Sequence, residues 1–165
     1  MKYMQNGGFQ HNPHMRLTLL LTCLLLAGLW VTNGLLYFSR MGLTPQSVVN
    51  YYLGSEANFT LPRTYQSMLE VTHMHLPMMA LVILLVTHLL IFAPFSDRAK
   101  KVFISGTFLA AFLGEASGWL VRFVNPVFAW LKIVSFVTLE CLFGFLLAAL
   151  ILFLMKSSVR RHPRT

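Results

Sequence analysis

Residues 67–93 read SMLEVTHMHLPMMALVILLVTHLLIFA, an apolar run holding His73, His75 and His88, three of the six histidines in the chain. About 20 apolar residues suffice for a helix to cross the hydrocarbon core of a bilayer. Ser67 and Glu70 open the run in the S-x-x-E spacing of a capping box, and Pro94 follows it. Ionisable side chains are costly within a membrane span, so three imidazoles there mark a candidate functional site.

Three further runs flank this one: Leu17–Phe38, Val102–Val121 and Val127–Met155. The chain is 56% hydrophobic and 11% charged, against about 25% charged in soluble domains. An integral membrane protein of one domain is therefore expected. The first run is too long for a signal-peptide core and lacks a small-x-small cleavage site, so it reads as an uncleaved anchor. The predicted fold is all-α: a four-helix up-down bundle with spans at about 17–38, 67–93, 102–121 and 127–155. Residues 1–16 and 156–165 are expected to be tails, the second one basic.

The connections carry their own signals. In the loop 39–66, Thr44 is a helix cap, Pro45 suits the first helical position and Gly54 ends the run, which predicts a short interfacial helix. Asp97, Arg98, Lys100 and Lys101 read as a charged turn, and Asn125-Pro126 as a cap and first helical residue. Gly106, Ala110, Gly114 and Gly118 recur every fourth residue and make a groove where another backbone can approach closely.

The net charge of +8 does not point to nucleic acid, because the basic residues cluster at the ends of apolar runs. Lys2, Arg16, Arg98, Lys100, Lys101, Lys156, Arg160, Arg161 and Arg164 lie on one side of the expected bundle; Arg40, Arg63 and Arg122 lie on the other. The positive-inside rule then places both termini in the cytoplasm. Cys23 and Cys141 fall within apolar runs, which argues against a disulfide framework or a thiolate metal site. No nucleophile–base constellation, phosphate loop or nucleotide fold is evident.

Helix geometry sorts the histidines. His73 and His75 are about 200° apart and look in opposite directions, whereas Glu70 and His73 share a face. His73 and His88 differ by about 60° and roughly 22 Å along the axis, the layout of a di-haem helix. Pro77 frees the His73 carbonyl and widens the helix surface, either as a pocket for a cofactor or quinone or as a kink filled by Met78 and Met79. His73, His75, His88 and Met78 are the candidate cofactor contacts. Glu115 reaches a similar depth, so Glu70, His73, His75 and Glu115 form a candidate set for zinc, copper or iron, or a proton-exchanging group beside a quinone. The simpler reading has Glu70 capping its helix, Glu115 paired with Arg122 or Lys132, and the histidines donating across helices. A haem b needs a second axial ligand, which this helix alone does not supply. That ligand would come from a second copy or a partner subunit.

Thr72-His73-Met74-His75-Leu76 resembles the His-x-His helix of the catalytic subunits of haem–copper oxidases and nitric oxide reductases. The resemblance implies a haem-ligand role for His73 and His75, one haem on each side of the helix. The other ligand histidines of those families have no counterpart here. From Tyr51-Tyr52-Leu53-Gly54 through the Thr-His-x-His helix, the chain also looks like small four-helix proteins of the bacterial inner membrane. That likeness implies the bacterial inner (cytoplasmic) membrane as the location.

Three functions are expected from these readings. The first is a membrane subunit of a respiratory electron-transfer assembly, binding haem b or a quinone. The second is an accessory or assembly subunit that docks on other membrane subunits, or on a second copy, through the Gly106–Gly118 groove and the outer loop. The third is a metal-handling protein using the His and Glu set.

Overall fold

The structure, a computed structural model, describes residues 12–156. The segments 1–11 and 157–165, which make up most of the expected tails, lie outside the described residues. Five α-helices follow one another: α1 Pro13–Arg40, α2 Pro45–Leu53, α3 Tyr65–Leu90, α4 Asp97–Phe123 and α5 Ala129–Lys156. A 3-10 turn, Pro126–Phe128, leads into α5. Four helices are long and apolar enough to cross a membrane, and α2 is the short helix between the first two. The fold is thus the expected all-α membrane bundle.

Caps set the boundaries. Asn12 accepts from the amides of His14 and Met15, and Pro13 sits in the first turn, so α1 begins before Leu17. Thr64, not Ser67, caps α3: its hydroxyl accepts from the Ser67 amide at 3.1 Å. The helix starts at Tyr65, and Glu70 accepts from Gln66 Nε2 instead of closing a capping box. Ser96 caps α4 through the Ala99 amide, so Asp97 through Lys101 form the first turns of a helix, not a turn between helices. Asp97 there favours the positive helix end. Thr44 and Asn125 cap as their sequences predict, and Gly54 leaves α2 at a φ of 81°, a conformation that favours glycine.

The helices pack as a sequence of neighbours. α4 lies most closely against α5, α1 packs on α5, and α3 packs on both α4 and α5. The seam between α1 and α3 is thin. α2 lies across one end of the bundle against α4 and α5. One buried cluster, around Cys23, Val86, Leu90, Leu146 and Leu150, closes the opposite end. The other, with Tyr37, Val48, Tyr52, Met68, Val121 and Ile133, lies beside α2. Large apolar side chains such as Leu24, Leu25 and Val102 remain exposed, as expected for a surface solvated by acyl chains.

The small-residue groove of α4 is filled from within the chain. A Cβ at Gly106 would stand 3.4 Å from Leu142 of α5, one at Gly114 3.8 Å from Ser135, and one at Gly118 2.7 Å from the Tyr52 hydroxyl. The groove seats α5 and the end of α2, so it is not open for docking another subunit. Close approach of these elements removes lipid-accessible surface where Cβ atoms would keep them apart.

Candidate functional site

The thin seam between α1 and α3 widens toward α2 into a cleft of about 360 Å³. All five helices line it. α3 contributes Thr72, His75 and Met79, spaced three and four residues apart and therefore on one face. α4 contributes Glu115 beside Gly114 and Gly118; α5 contributes Lys132 and Ser135; α1 and α2 add Asn33, Tyr37, Tyr51 and Tyr52. The cleft is mixed in character, with aliphatic and aromatic walls and a few converging polar atoms. That is the usual make-up of a small-molecule site.

Glu115 is the centre of its polar floor. One carboxylate oxygen, Oε2, lies 3.2 Å from His75 Nδ1. The other, Oε1, accepts from the Thr72 hydroxyl, which in turn accepts from the Trp119 indole N–H at 2.9 Å. Lys132 Nζ donates to the Gly114 carbonyl at 2.7 Å, one residue from Glu115, so its charge acts on the carboxylate without direct contact. The Glu115 side chain is 14% exposed and that of His75 54%. A carboxylate held by donors on one side thus meets an imidazole that is open on the other. With Nδ1 engaged by Glu115, the His75 atom left for a guest is Nε2.

A second polar pair lies deeper along α1 and α5. Asn33 Nδ2 donates to Glu140 Oε1, and Trp30 Nε1 donates to the Glu140 carbonyl at 3.0 Å. Asn33 also reaches the cleft wall. Burying such groups in lipid is tolerable because each finds a partner.

The four candidate metal residues do not meet in one place. His75 and Glu115 are brought together; His73 is exposed on the far side of α3, and Glu70 is engaged with Gln66. Among the described residues, no three His, Cys, Asp or Glu side chains are grouped to hold a metal ion. Met78 is 55% exposed, and it is Met79 that lines the cleft. His88 lies near the opposite end, its ring edge-on to Phe92 at 5.8 Å. Haem fits this arrangement poorly, since His75 and Met79 stand one turn apart on one helix and offer ligand atoms from one side only. Glu115 pairs with neither Arg122 nor Lys132; the Arg122 Nε donates to the Arg63 carbonyl at 2.7 Å.

Sequence reasoning missed Asn33, Trp119 and the three tyrosines Tyr37, Tyr51 and Tyr52 as parts of the site, and weighed Lys132 only as an ion-pair partner of Glu115. Asn33 and Lys132 were visible as polar residues inside apolar runs. Trp119 stands four residues after Glu115, on the same helix face. Nothing in the sequence showed that Tyr52 would fold back against Gly118.

No curated protein and no solved structure matches the chain. The local likeness of Thr72–Leu76 to the oxidase helix therefore gains no support from those comparisons. Residues 42–162 match the family model Aq_1264_TM, described as a transmembrane helical domain. That match spans α2 to α5 and covers well over half of the chain, which belongs to the Aq_1264_TM family of transmembrane helical domains.

Proposed function

We propose that the protein is a membrane subunit that binds the head of a lipid-soluble quinone or quinol in the cleft between α1 and α3. The observation that carries this reading is the 3.2 Å contact between His75 Nδ1 and Glu115 Oε2 on the wall of a cleft that also has apolar faces. A quinone head needs hydrogen-bond partners for its ring oxygens and an apolar slot for its ring. His75 Nε2 supplies the first as donor or acceptor, according to its protonation. Tyr37, Phe136 and Met79 supply apolar surface for the second.

In this role the chain provides binding and a place for a proton. A proton taken up at Nε2 makes an imidazolium facing the Glu115 carboxylate, a charge pair in a medium of low dielectric. Electrons would pass to or from a redox partner subunit. A bacterial inner membrane with both termini on the cytoplasmic side remains part of this proposal.

The test is direct. The purified chain is placed in lipid nanodiscs and titrated with a short-chain benzoquinone while tryptophan fluorescence is read; Trp119 sits beside the site. Saturable quenching in the wild type that is lost in Glu115→Gln and His75→Ala supports the reading. Equal, non-saturating quenching in all three overturns it. A reduced-minus-oxidised spectrum of the same sample tests haem independently.

A further inference from the structure

Above the cleft, at the end of the bundle where α1 stops and α3 starts, lies a second and larger cavity of about 770 Å³. Its lining carries hydroxyls, amides and two guanidinium groups, those of Arg40 and Arg63, beside the apolar Leu61 and Pro62; no Asp or Glu side chain lines it. The two arginines are held very differently. Arg63 is fixed: Nη2 donates to the Tyr51 hydroxyl at 2.6 Å, Nη1 lies 3.4 Å from Ser67 Oγ, and Cζ sits 4.4 Å over the Tyr51 ring. Its backbone is fixed too, with N–H to Tyr52 O at 3.0 Å and its carbonyl accepting from Arg122. Those bonds use two of the five N–H donors that a guanidinium carries. Arg40 ends α1, is exposed, and has no hydrogen bond or ion pair among the described residues.

Two cations facing one polar cavity, without a carboxylate between them, repel each other unless an anion joins them. Membrane topology does not explain their presence either. This end of the chain carries the smaller group of basic residues, Arg40, Arg63 and Arg122, not the larger one. The cavity also lies where helix ends place it, at the level of lipid headgroups. Asn50 and Asn58 add neutral amide groups around it. Arginine is the side chain best suited to a phosphate, because its planar fork meets two oxygens at once.

We infer that this cavity is a phosphate-binding site, with Arg63 as the fixed contact and Arg40 as the second, whose guanidinium has no other partner among the described residues. The phosphate belongs to an anionic lipid headgroup or arrives free from water. The site shares Arg40, Tyr51, Arg63 and Ser67 with the cleft below, so a headgroup held here places its acyl chains at the α1–α3 seam. It does not depend on the quinone reading, since neither His75 nor Glu115 lines it.

The full chain in phosphatidylcholine nanodiscs doped with phosphatidylglycerol tests it, read by native mass spectrometry for retained lipid. The wild type should keep phosphatidylglycerol, and Arg40→Gln should lower its retention about fivefold, the usual share of one basic residue near a lipid surface. Arg98→Gln, at the other end of the bundle, should leave it unchanged. Arg63→Gln is the stronger variant, but Arg63 also fixes the loop; Arg40 makes no such bonds, so its variant keeps the test sound. Inorganic phosphate added to pure phosphatidylcholine discs separates the two sources. If it raises thermal stability in the wild type and not in Arg40→Gln, the free anion is the ligand; if only phosphatidylglycerol does, the headgroup is. Should Arg40→Gln match the wild type with both probes, the site does not exist. Glu115→Gln, which removes the carboxylate partner of His75, should retain phosphatidylglycerol normally, so the two proposals fail separately.

Discussion

The Trp119 indole N–H donates to the Thr72 hydroxyl at 2.9 Å, and that hydroxyl donates to Glu115. One oxygen atom thereby links α3 to α4 at two points. Thr72→Val keeps the shape of the side chain but removes both bonds. It leaves an indole N–H and a carboxylate oxygen each short of a partner. The expected loss is about 2–3 kcal/mol, the cost typical of a bond to a charged group. Thr72→Ser should recover most of it. Reversible unfolding in mixed detergent micelles measures both.

His73 and His75 offer an internal control. They are neighbours but one on the same helix, yet only His75 reaches the cleft. His75→Ala should weaken quinone binding about tenfold or more, the value of one good hydrogen bond. His73→Ala should leave the affinity unchanged. Equal losses from both would place the guest elsewhere. Fluorescence titration in nanodiscs reads this.

Gly118 and Gly114 should differ sharply in their tolerance of a methyl group. A Cβ at Gly118 meets the Tyr52 hydroxyl at 2.7 Å and its ring at 3.0 Å, while one at Gly114 meets Ser135 at an ordinary 3.8 Å. Gly118→Ala should therefore cost about 1–3 kcal/mol, the range seen when a packed site is overfilled. Gly114→Ala should cost less than about 1 kcal/mol. Thermal denaturation in detergent, followed by circular dichroism, ranks them.

Tyr52 also sets an alkaline limit. Burial holds its phenol above the ordinary value of 10.0. In the unfolded chain the phenol ionises near that ordinary value, and in the folded chain it does not. The stability this group contributes is whole below about pH 10 and declines as pH rises further, because the unfolded state alone releases the proton. Tyr52→Phe should flatten that decline while shifting stability at pH 8 by less than about 1.5 kcal/mol. Unfolding free energies measured from pH 8 to 11 give both slopes.

Much of the architecture could be read from residues, and the physical reason is the same throughout. Length and hydropathy are local properties, so the four spans, the Thr44-Pro45 start of α2 and the Asn125 cap were legible. The opposite directions of His73 and His75 also follow from helix pitch alone. What resisted reading was tertiary. The Ser67–Glu70 spacing suggested a cap, but Thr64 lies closer to the end of the loop and took the role. The glycine stripe announced close packing without saying whose, and the answer was α5 and Tyr52 of the same chain. Glu115 had several cations within sequence reach, yet its partners came from α3, forty or more positions away. Only the bundle's neighbour order decides such pairings.

The seating of Tyr52 against Gly118 ties α2 down across one end of the molecule, while the flank between α1 and α3 stays loosely filled. The loosely filled flank is then the route by which the proposed quinone would enter, sideways from the surrounding lipid and travelling in two dimensions. Occupancy then follows the mole fraction of the guest among the acyl chains, not its concentration in the buffer. Rinsing with aqueous solution should leave it in place, and diluting with fresh lipid should remove it.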